Sequence, residues 1–375
     1  MRIAINTRLL ISQKMDGIGW FTAETTKRII QNHPEDDFYL FFDRKPEASF
    51  IFGDNVHPIV LHPQARHPIL WYLFFEWSVT HALRKYHIDL FLSPDGFIST
   101  KSHIPTLTVI HDLNFEHSKD NLKVSHQLYM NHYFPRYAQH ATRIATVSEY
   151  SKQDIAKTYN IAPEKIDVVF DGAHDAYSPL GAEEDAKTKN DFTQGSPYYI
   201  FISTILRRKN LANLLIAFDQ FKKRKASDMK LVVVGARVWW QDELKEAYDQ
   251  MDHKQDVIFV GRADVTTLSR LLSAAKALVY PSFFEGFGIP IVEAFHAEVP
   301  VITSNCTSMP EIAGNAALLV DPHDPASISL ALEQILDNPN LGEQLIAKGR
   351  LQREKFNWDI TANLLWESMM KCMKH

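Results

Sequence analysis

The sequence predicts an α/β protein of two Rossmann-like, doubly wound domains, and three observations carry that expectation. Short β-branched runs alternate with helical patterns along most of the chain, as parallel strands joined by crossover helices require. A polar stretch almost free of large apolar residues, Gly181 to Pro197, interrupts the alternation. The length of 375 residues is that of about two domains of roughly 100 to 200 residues each.

In chain order, "RIAIN", "FYLFF", "DLFLS", "TLTVI", "RIATVS" and "KIDVVF" read as the strands of the first half. Among them, "HPILWYLFFEWSVTHALRKYH", His67 to His87, reads as an aromatic-rich helix ending in Arg84 and Lys85. Such a helix could lean on a membrane surface. The lack of a broad charged face favours a core position instead. The Gly181–Pro197 stretch reads as a linker, which gives domains at 1–180 and 198–356. The second half reads cleanly: strands "YYIFIST", "KLVVVGA", "DVIFVGR", "KALVYPS", "PVITS" and "AALLV" are separated by the helices "LANLLIAFDQFKKRK", "DELKEAYDQM", "TTLSRLLSAA" and one after Pro290. The last segment, 357–375, reads as a helix from about Trp358 to Lys374, and spacing alone leaves open which domain it packs on.

Composition narrows the function. With 45% hydrophobic and 23% charged residues the chain is an ordinary globular one. Its net charge of -5 offers no basic stripe for a phosphate backbone, so nucleic acid is not an expected partner. Cys306 and Cys372 have neither metal-ligand spacing nor a disulfide framework, which suits a reducing compartment. "MRIAINTRLL" lacks the apolar run of a signal peptide and no stretch reaches the roughly 18 apolar residues of a spanning helix. A cytoplasmic protein is expected.

The richest stretch is "PSFFEGFGIPIVEA", Pro281 to Ala294. It follows the strand "ALVY" and leads into a helix with Pro290 at its first position, where a missing N–H costs nothing. In open α/β sheets ligands bind beyond the carboxyl ends of strands, and a helix N-terminus presents free N–H groups to anions. Gly286 and Gly288 let backbone approach a phosphate closely. Glu285 and Glu293 on either side could each accept from sugar hydroxyls, which together is the shape of a sugar nucleotide. The competing reading is a tight turn with two solvated acids.

A second loop supports the first. "STILRRKNL" follows the strand "YYIFIS" and opens the helix at Leu211, so Arg207, Arg208 and Lys209 stand at another strand end. Three cations at a helix start oppose the helix dipole, and a diphosphate would remove that conflict. In the first half His111 and Asp112 follow the strand "TLTVI". Because 13 of the 17 histidines precede position 181, position rather than residue type singles His111 out. "DGIGWF" holds Gly17 and Gly19, but Thr22 stands where a third dinucleotide-binding glycine belongs, so a nicotinamide cofactor is a weak reading. "PEDDF", Pro34 to Phe38, reads as a solvated loop.

Together the paired-glutamate stretch, "RRKNL", "DVIFVGR", "SMPEIAGNAALLVDPHDP" and "FNWDITANLLWESMM" resemble glycosyltransferase family 4, retaining enzymes of the two-domain GT-B fold, and most of all its bacterial mannosyltransferase-like members. The resemblance spans nearly the whole chain and is strongest from about Phe201 to Pro325. It implies two domains facing a deep cleft, with the C-terminal helix crossing back to the first, acceptor-binding domain. It further implies that Glu285 contacts the donor hexose and Glu293 the ribose, while Gly286, Phe287, Gly288 and Ile289 line the donor sugar and phosphate. Lys209 with Arg208 or Arg207 would bind diphosphate, His111 would sit beside the reacting sugar, and Gly19 would line the phosphate side. No metal is needed for such catalysis. The implied activity is transfer of a hexose, mannose from GDP-mannose first and a UDP-sugar second, to a glycan or lipid-linked glycan, as in polysaccharide biosynthesis. A sugar-nucleotide epimerase would share the fold. Two departures stand out: Ser203 and Thr204 replace the glycine and arginine of many relatives, and Glu298 replaces the glycine that usually ends the glutamate helix.

Overall fold

A computed structural model of the protein describes residues 1–12, 15–118 and 123–374. The chain forms two compact units: Met1–Gly172 together with Asn357–His375, and Ala173–Phe356.

The first unit is built on seven parallel strands, β1 (Arg2–Asn6), β2 (Asp37–Phe42), β3 (Val56–Val60), β4 (Leu90–Ser93), β5 (Thr106–Val109), β6 (Arg143–Thr146) and β7 (Ile166–Val168). Their order is β3-β2-β1-β4-β5-β6-β7. Ile3 of β1 lies opposite both Phe38 and Leu90, which places β1 inside the sheet. Buried on both faces, β4 and β5 read as continuous apolar or small runs, "LFLS" and "TLTV". The sequence reading misses β3, and the reason is Pro58: a proline cannot donate to a ladder and is confined to edges, which is where β3 lies.

The second unit has six parallel strands, β8 (Tyr198–Ile202), β9 (Lys230–Val234), β10 (Val257–Gly261), β11 (Ala277–Tyr280), β12 (Val301–Ser304) and β13 (Ala317–Val320). Their order, β10-β9-β8-β11-β12-β13, repeats that of the first sheet strand for strand over its first six members. Both sheets are therefore doubly wound, as expected.

Two expectations about connections need correction. The stretch 181–197 is no linker: Ala182–Thr193 is a helix of the second unit, held by Arg270 to Glu184 (2.6 Å) and Asp191 (3.3 Å). It was missed because it buries only Thr188 and Thr193 and so shows no apolar stripe. The chain enters the second unit at Ala173, ahead of the expected 180. "PEDDF" is also more than a solvated loop, because Asp36 is buried and takes the N-terminal ammonium at 2.5 Å.

The C-terminal helix, Trp358–Cys372, belongs to the first unit. Trp366 stacks on His33 at 3.6 Å between ring centroids, Asp359 pairs with Arg28 at 2.6 Å, and Ser368 and Lys371 both reach Asp167. Burial would raise the Asp167 carboxyl, but hydrogen bonds from Arg143, Ser368 and Lys371 hold it down at about 2.

Candidate functional site

In each sheet strand addition reverses direction once, between β1 and β4 in the first and between β8 and β11 in the second. Loops leaving the carboxyl ends at such a point diverge to opposite faces of the sheet and leave a crevice for ligands. In the second unit these are the loops that carry Arg207–Lys209 and Pro281–Gly288.

The two loops are tied together. After β8, Arg207–Lys209 make one short 3₁₀ turn, and Asn210, at a left-handed φ of 61°, starts the helix Leu211–Arg224. The Asn210 side-chain amide donates to the carbonyls of Pro281 (2.8 Å) and Pro322 (2.7 Å). Lys209 Nζ lies 2.6 Å from Glu285 Oε1 and donates to the Tyr280 hydroxyl (2.8 Å), which in turn donates to the same Glu285 oxygen (2.8 Å). Arg208 donates to Glu285 Oε2 (3.0 Å) and to the Phe284 carbonyl (2.9 Å). Arg207 turns to Glu243 on the surface.

Glu285 therefore does not stand open to a ligand as the loop reading supposed. It is buried, and its carboxylate is the anion that neutralises the two cations. Burial opposes its ionisation, yet Lys209 and Arg208 prevail and hold it at about 2. Burial and the neighbouring carboxylate push the Tyr280 phenol well above its usual range, so it remains a donor.

Beyond Glu285, Gly288 has a φ of 104° and caps the helix Ile289–His296. Only glycine takes that conformation without strain, and Pro290 falls at the second helical position, one later than the sequence suggests. The Phe287 ring is core, edge-on to Phe356 at 5.5 Å. Ser308 Oγ pins the loop through the carbonyls of Glu285 (2.9 Å) and Phe287 (3.0 Å). Glu293 lies in the second helical turn and is hydrogen-bonded to Tyr177. Desolvation lifts its carboxyl to about 7 despite that bond. Eight residues apart, the two glutamates occupy opposite electrostatic settings.

The first unit shows the corresponding point. Arg8, after β1, pairs with Asp95, after β4, at 2.6 Å, and both are buried. Asp95 also accepts from Asn6 (2.8 Å) and the Phe97 amide (3.2 Å), while the Arg8 guanidinium lies 4.6 Å from the Phe97 ring centroid. His111 Nε2 is 2.8 Å from the Pro94 carbonyl. A carbonyl only accepts, so Nε2 carries the proton and Nδ1 is left as an acceptor. Burial lowers the His111 pKa, though the Pro94 bond opposes this, and the imidazole is neutral at pH 7. Arg8, Asp95, His111 and Asp112 line a cavity of about 200 Å³ with Phe97 and Met130. Gly19, expected to line the phosphate side, has its amide bound to Asp16 Oδ1 at 2.9 Å.

Sequence reasoning missed Arg8, Asp95, Tyr177 and Tyr280. Three of the four follow or end a strand at a switch point, so the position rule that found Lys209 and His111 could have found them. Tyr177 had no such signal. Among the described residues, His33, Glu35 and Asp36 cluster within reach of one metal ion, but Asp36 is taken by the N-terminus.

Two doubly wound parallel-sheet units in one chain define the fold class as GT-B. Residues 182–352 match the family described as "Glycosyl transferases group 1" and residues 15–176 match "Glycosyltransferase Family 4". The chain thus carries both of these glycosyltransferase domains, one in each half, and is a glycosyltransferase. It is 28% identical over 367 residues to the O-antigen chain mannosyltransferase B of Escherichia coli, covering 93% of this chain and 94% of the relative. It is also 28% identical to the O-antigen chain mannosyltransferase RfbU of Salmonella typhimurium, over 73% of this chain and 72% of that one. Among solved structures, sucrose-phosphate synthase from Thermosynechococcus elongatus superimposes with a TM-score of 0.79 at 17% identity, covering 99% of this chain and 98% of that one. Anabaena HepE in complex with UDP-glucose gives 0.76 at 15% identity, over 99% of this chain and 100% of that one. These likenesses are of fold. Among the described residues no helix is long and apolar enough to cross a membrane.

Proposed function

We propose that this enzyme moves a hexose, mannose from GDP-mannose in the first instance, onto a hydroxyl of a glycan or lipid-linked glycan with retention of configuration, in polysaccharide biosynthesis on the cytoplasmic side. The observation that carries the reading is the Lys209–Arg208–Glu285 cluster at the switch point of the second sheet. The mannosyl part rests on the relatives named above.

In this reading the donor diphosphate approaches the glycine-headed helix at Gly288 and draws on Lys209 and Arg208. Glu285, kept ionised by the cations it then shares with the diphosphate, accepts from hexose hydroxyls, and Glu293 accepts from the ribose. The backbone of Gly286, Phe287 and Ile289 lines the donor. As the bond from the anomeric carbon to the phosphate oxygen breaks, its electron pair stays on the diphosphate, where the cations stabilise it. The acceptor hydroxyl attacks from the same face and its proton passes to the departing phosphate oxygen. His111 keeps a place beside the reacting sugar, and Gly19 serves phosphate only if Asp16 releases its amide. The cations take the part that a metal plays elsewhere, so activity without Mg²⁺ is expected.

The test is a thermal-shift panel with GDP, UDP, ADP and their mannose, glucose and N-acetylglucosamine forms, with and without Mg²⁺. A ligand at 100 times its dissociation constant adds about 2.7 kcal/mol. Stabilisation by GDP and GDP-mannose alone supports the mannosyl reading. Stabilisation by UDP forms alone moves the donor to a UDP-sugar. Product formed from donor without any acceptor identifies an epimerase.

A further inference from the structure

The helical segment Pro68–Lys85 runs through a π-helical stretch, Phe74–Val79, and divides its aromatic content between two faces. Trp71, Phe74, Phe75 and Val79 are core, as the sequence reading favoured. Ile69, Leu73 and Trp77 are not. They recur every four residues along the outer face, and Ile69 and Trp77 are 68% and 63% exposed. The adjoining helix Val124–His140, reached through the Tyr72–Tyr133 ring contact, exposes Val124 and Leu128 at 73% and 67%.

Along these two helical segments the exposed charge has one sign. From Arg66 to His87 the sole acidic residue is Glu76, which is buried and bonded to the Thr100 amide (3.0 Å) and hydroxyl (2.9 Å). From Lys123 to Ser148 there is no acidic residue at all. Lys101 Nζ stands 5.0 Å from the Trp77 ring centroid, and Arg66, Arg84, Lys85, Lys123 and Arg136 are all exposed on or beside the two helices. In a chain of net charge -5 this is a local exception. Apolar side chains reaching out from between cations, with an indole among them, match the boundary between acyl chains and anionic headgroups. A protein partner bound by the apolar stripe alone would not need the surrounding cations.

We propose that the Ile69–Leu73–Trp77 stripe and its basic surround dock the first unit on an anionic phospholipid surface. The inference rests on the reading that the acceptor is lipid-linked, and it supplies the means by which an enzyme with no spanning helix among its described residues reaches such an acceptor.

The test compares the 375-residue protein with its Leu73→Ser/Trp77→Ser variant by sedimentation with phosphatidylcholine vesicles, with and without phosphatidylglycerol. The expected result is binding that needs phosphatidylglycerol, weakens with salt and falls about tenfold or more in the variant. The variant's melting temperature and its stabilisation by GDP or UDP are expected to match wild type, which separates lost docking from lost folding. Binding undiminished in the variant, binding equal on neutral vesicles, or no binding at all overturns the proposal. Self-association that depends on Trp77, without vesicle binding, also overturns it and makes a second copy the occupant. Loss of nucleotide stabilisation in wild type would instead count against the transferase reading and leave the surface to the vesicle result.

Discussion

The two switch points hold the same device and use it differently. In each unit a cation from the loop after the first strand meets a carboxylate from the loop after the fourth at 2.6 Å, Arg8 with Asp95 and Lys209 with Glu285. Arg8 borders its unit's small cavity, but the pair is sealed in by its own partners: Arg8 lies against Phe97 and Phe75, and Asp95 is bound further by Asn6 and the Phe97 amide. Lys209 shares its carboxylate with Arg208 and lies next to a glycine-headed helix. One pair fixes a loop whose carbonyl orients His111. In the function proposed above, the other keeps its cations in place for the donor diphosphate. Identical topology thus sets where a charge pair can form, and the side chains around it decide whether it is structural or exchangeable.

The largest effect is expected at the exchangeable pair. Lys209→Ala should lower the transfer rate about 10²- to 10³-fold, the usual consequence of removing one preorganised group that stabilises developing charge. Turnover at the wild-type rate, measured with labelled donor, would falsify the assignment of Lys209. The same substitution should also lower the melting temperature, since Glu285 then keeps Arg208 as its one close cation of the two.

At the sealed pair, Asp95→Asn should cost about 3–5 kcal/mol of stability by leaving Arg8 buried without its counter-charge, as read by denaturant unfolding. No nucleotide should restore it. Glu285→Gln should behave differently: GDP or UDP should raise its melting temperature more than that of wild type, because the diphosphate replaces the missing charge. Equal shifts in wild type and Glu285→Gln would show that the second pair is as sealed as the first.

Tyr280→Phe sharpens the comparison at smaller scale. It deletes the hydroxyl that bridges Lys209 and Glu285 while keeping the ring, at a cost of about 1–2 kcal/mol, or about tenfold in kcat/KM.

Glu293 supplies a pH test. Its folded pKa of about 7 lies above the ordinary carboxylate range, so the folded protein holds a proton there that the unfolded chain has lost. Its contribution to stability is present at low pH and is lost as the pH rises through about 7. Ionised, Glu293 is the better acceptor for ribose hydroxyls, so nucleotide affinity should rise over the same interval. Calorimetry across that range should find the rise in wild type and a flat profile in Glu293→Gln. A rise that persists in the variant would assign the titration to another group.

The smallest effect is expected at Glu298, which has a φ of 57° where relatives were expected to carry glycine. Glu298→Gly relieves that conformation and loses the Arg350 pair at 2.8 Å. The two terms offset each other to within about 1 kcal/mol by thermal unfolding.

The sequence by itself determined the doubly wound class, all six strands of the second sheet and the places of Lys209, Glu285 and His111, because strand and helix periodicities and strand-end positions are local properties. It lost β3 to Pro58 and the helix Ala182–Thr193 to the lack of an apolar stripe, since both elements are held by neighbours distant in the chain. The tertiary structure alone decided that Glu285 would be the counter-ion of Lys209 and Arg208, that Glu293 would face Tyr177, and that Arg8 would meet Asp95 across 87 positions. It also decided that the aromatic helix would bury one face and leave Ile69, Leu73 and Trp77 outside. Periodicity names the residues on each face of a helix, but only packing determines which face is covered, and only proximity in space determines which charges neutralise one another.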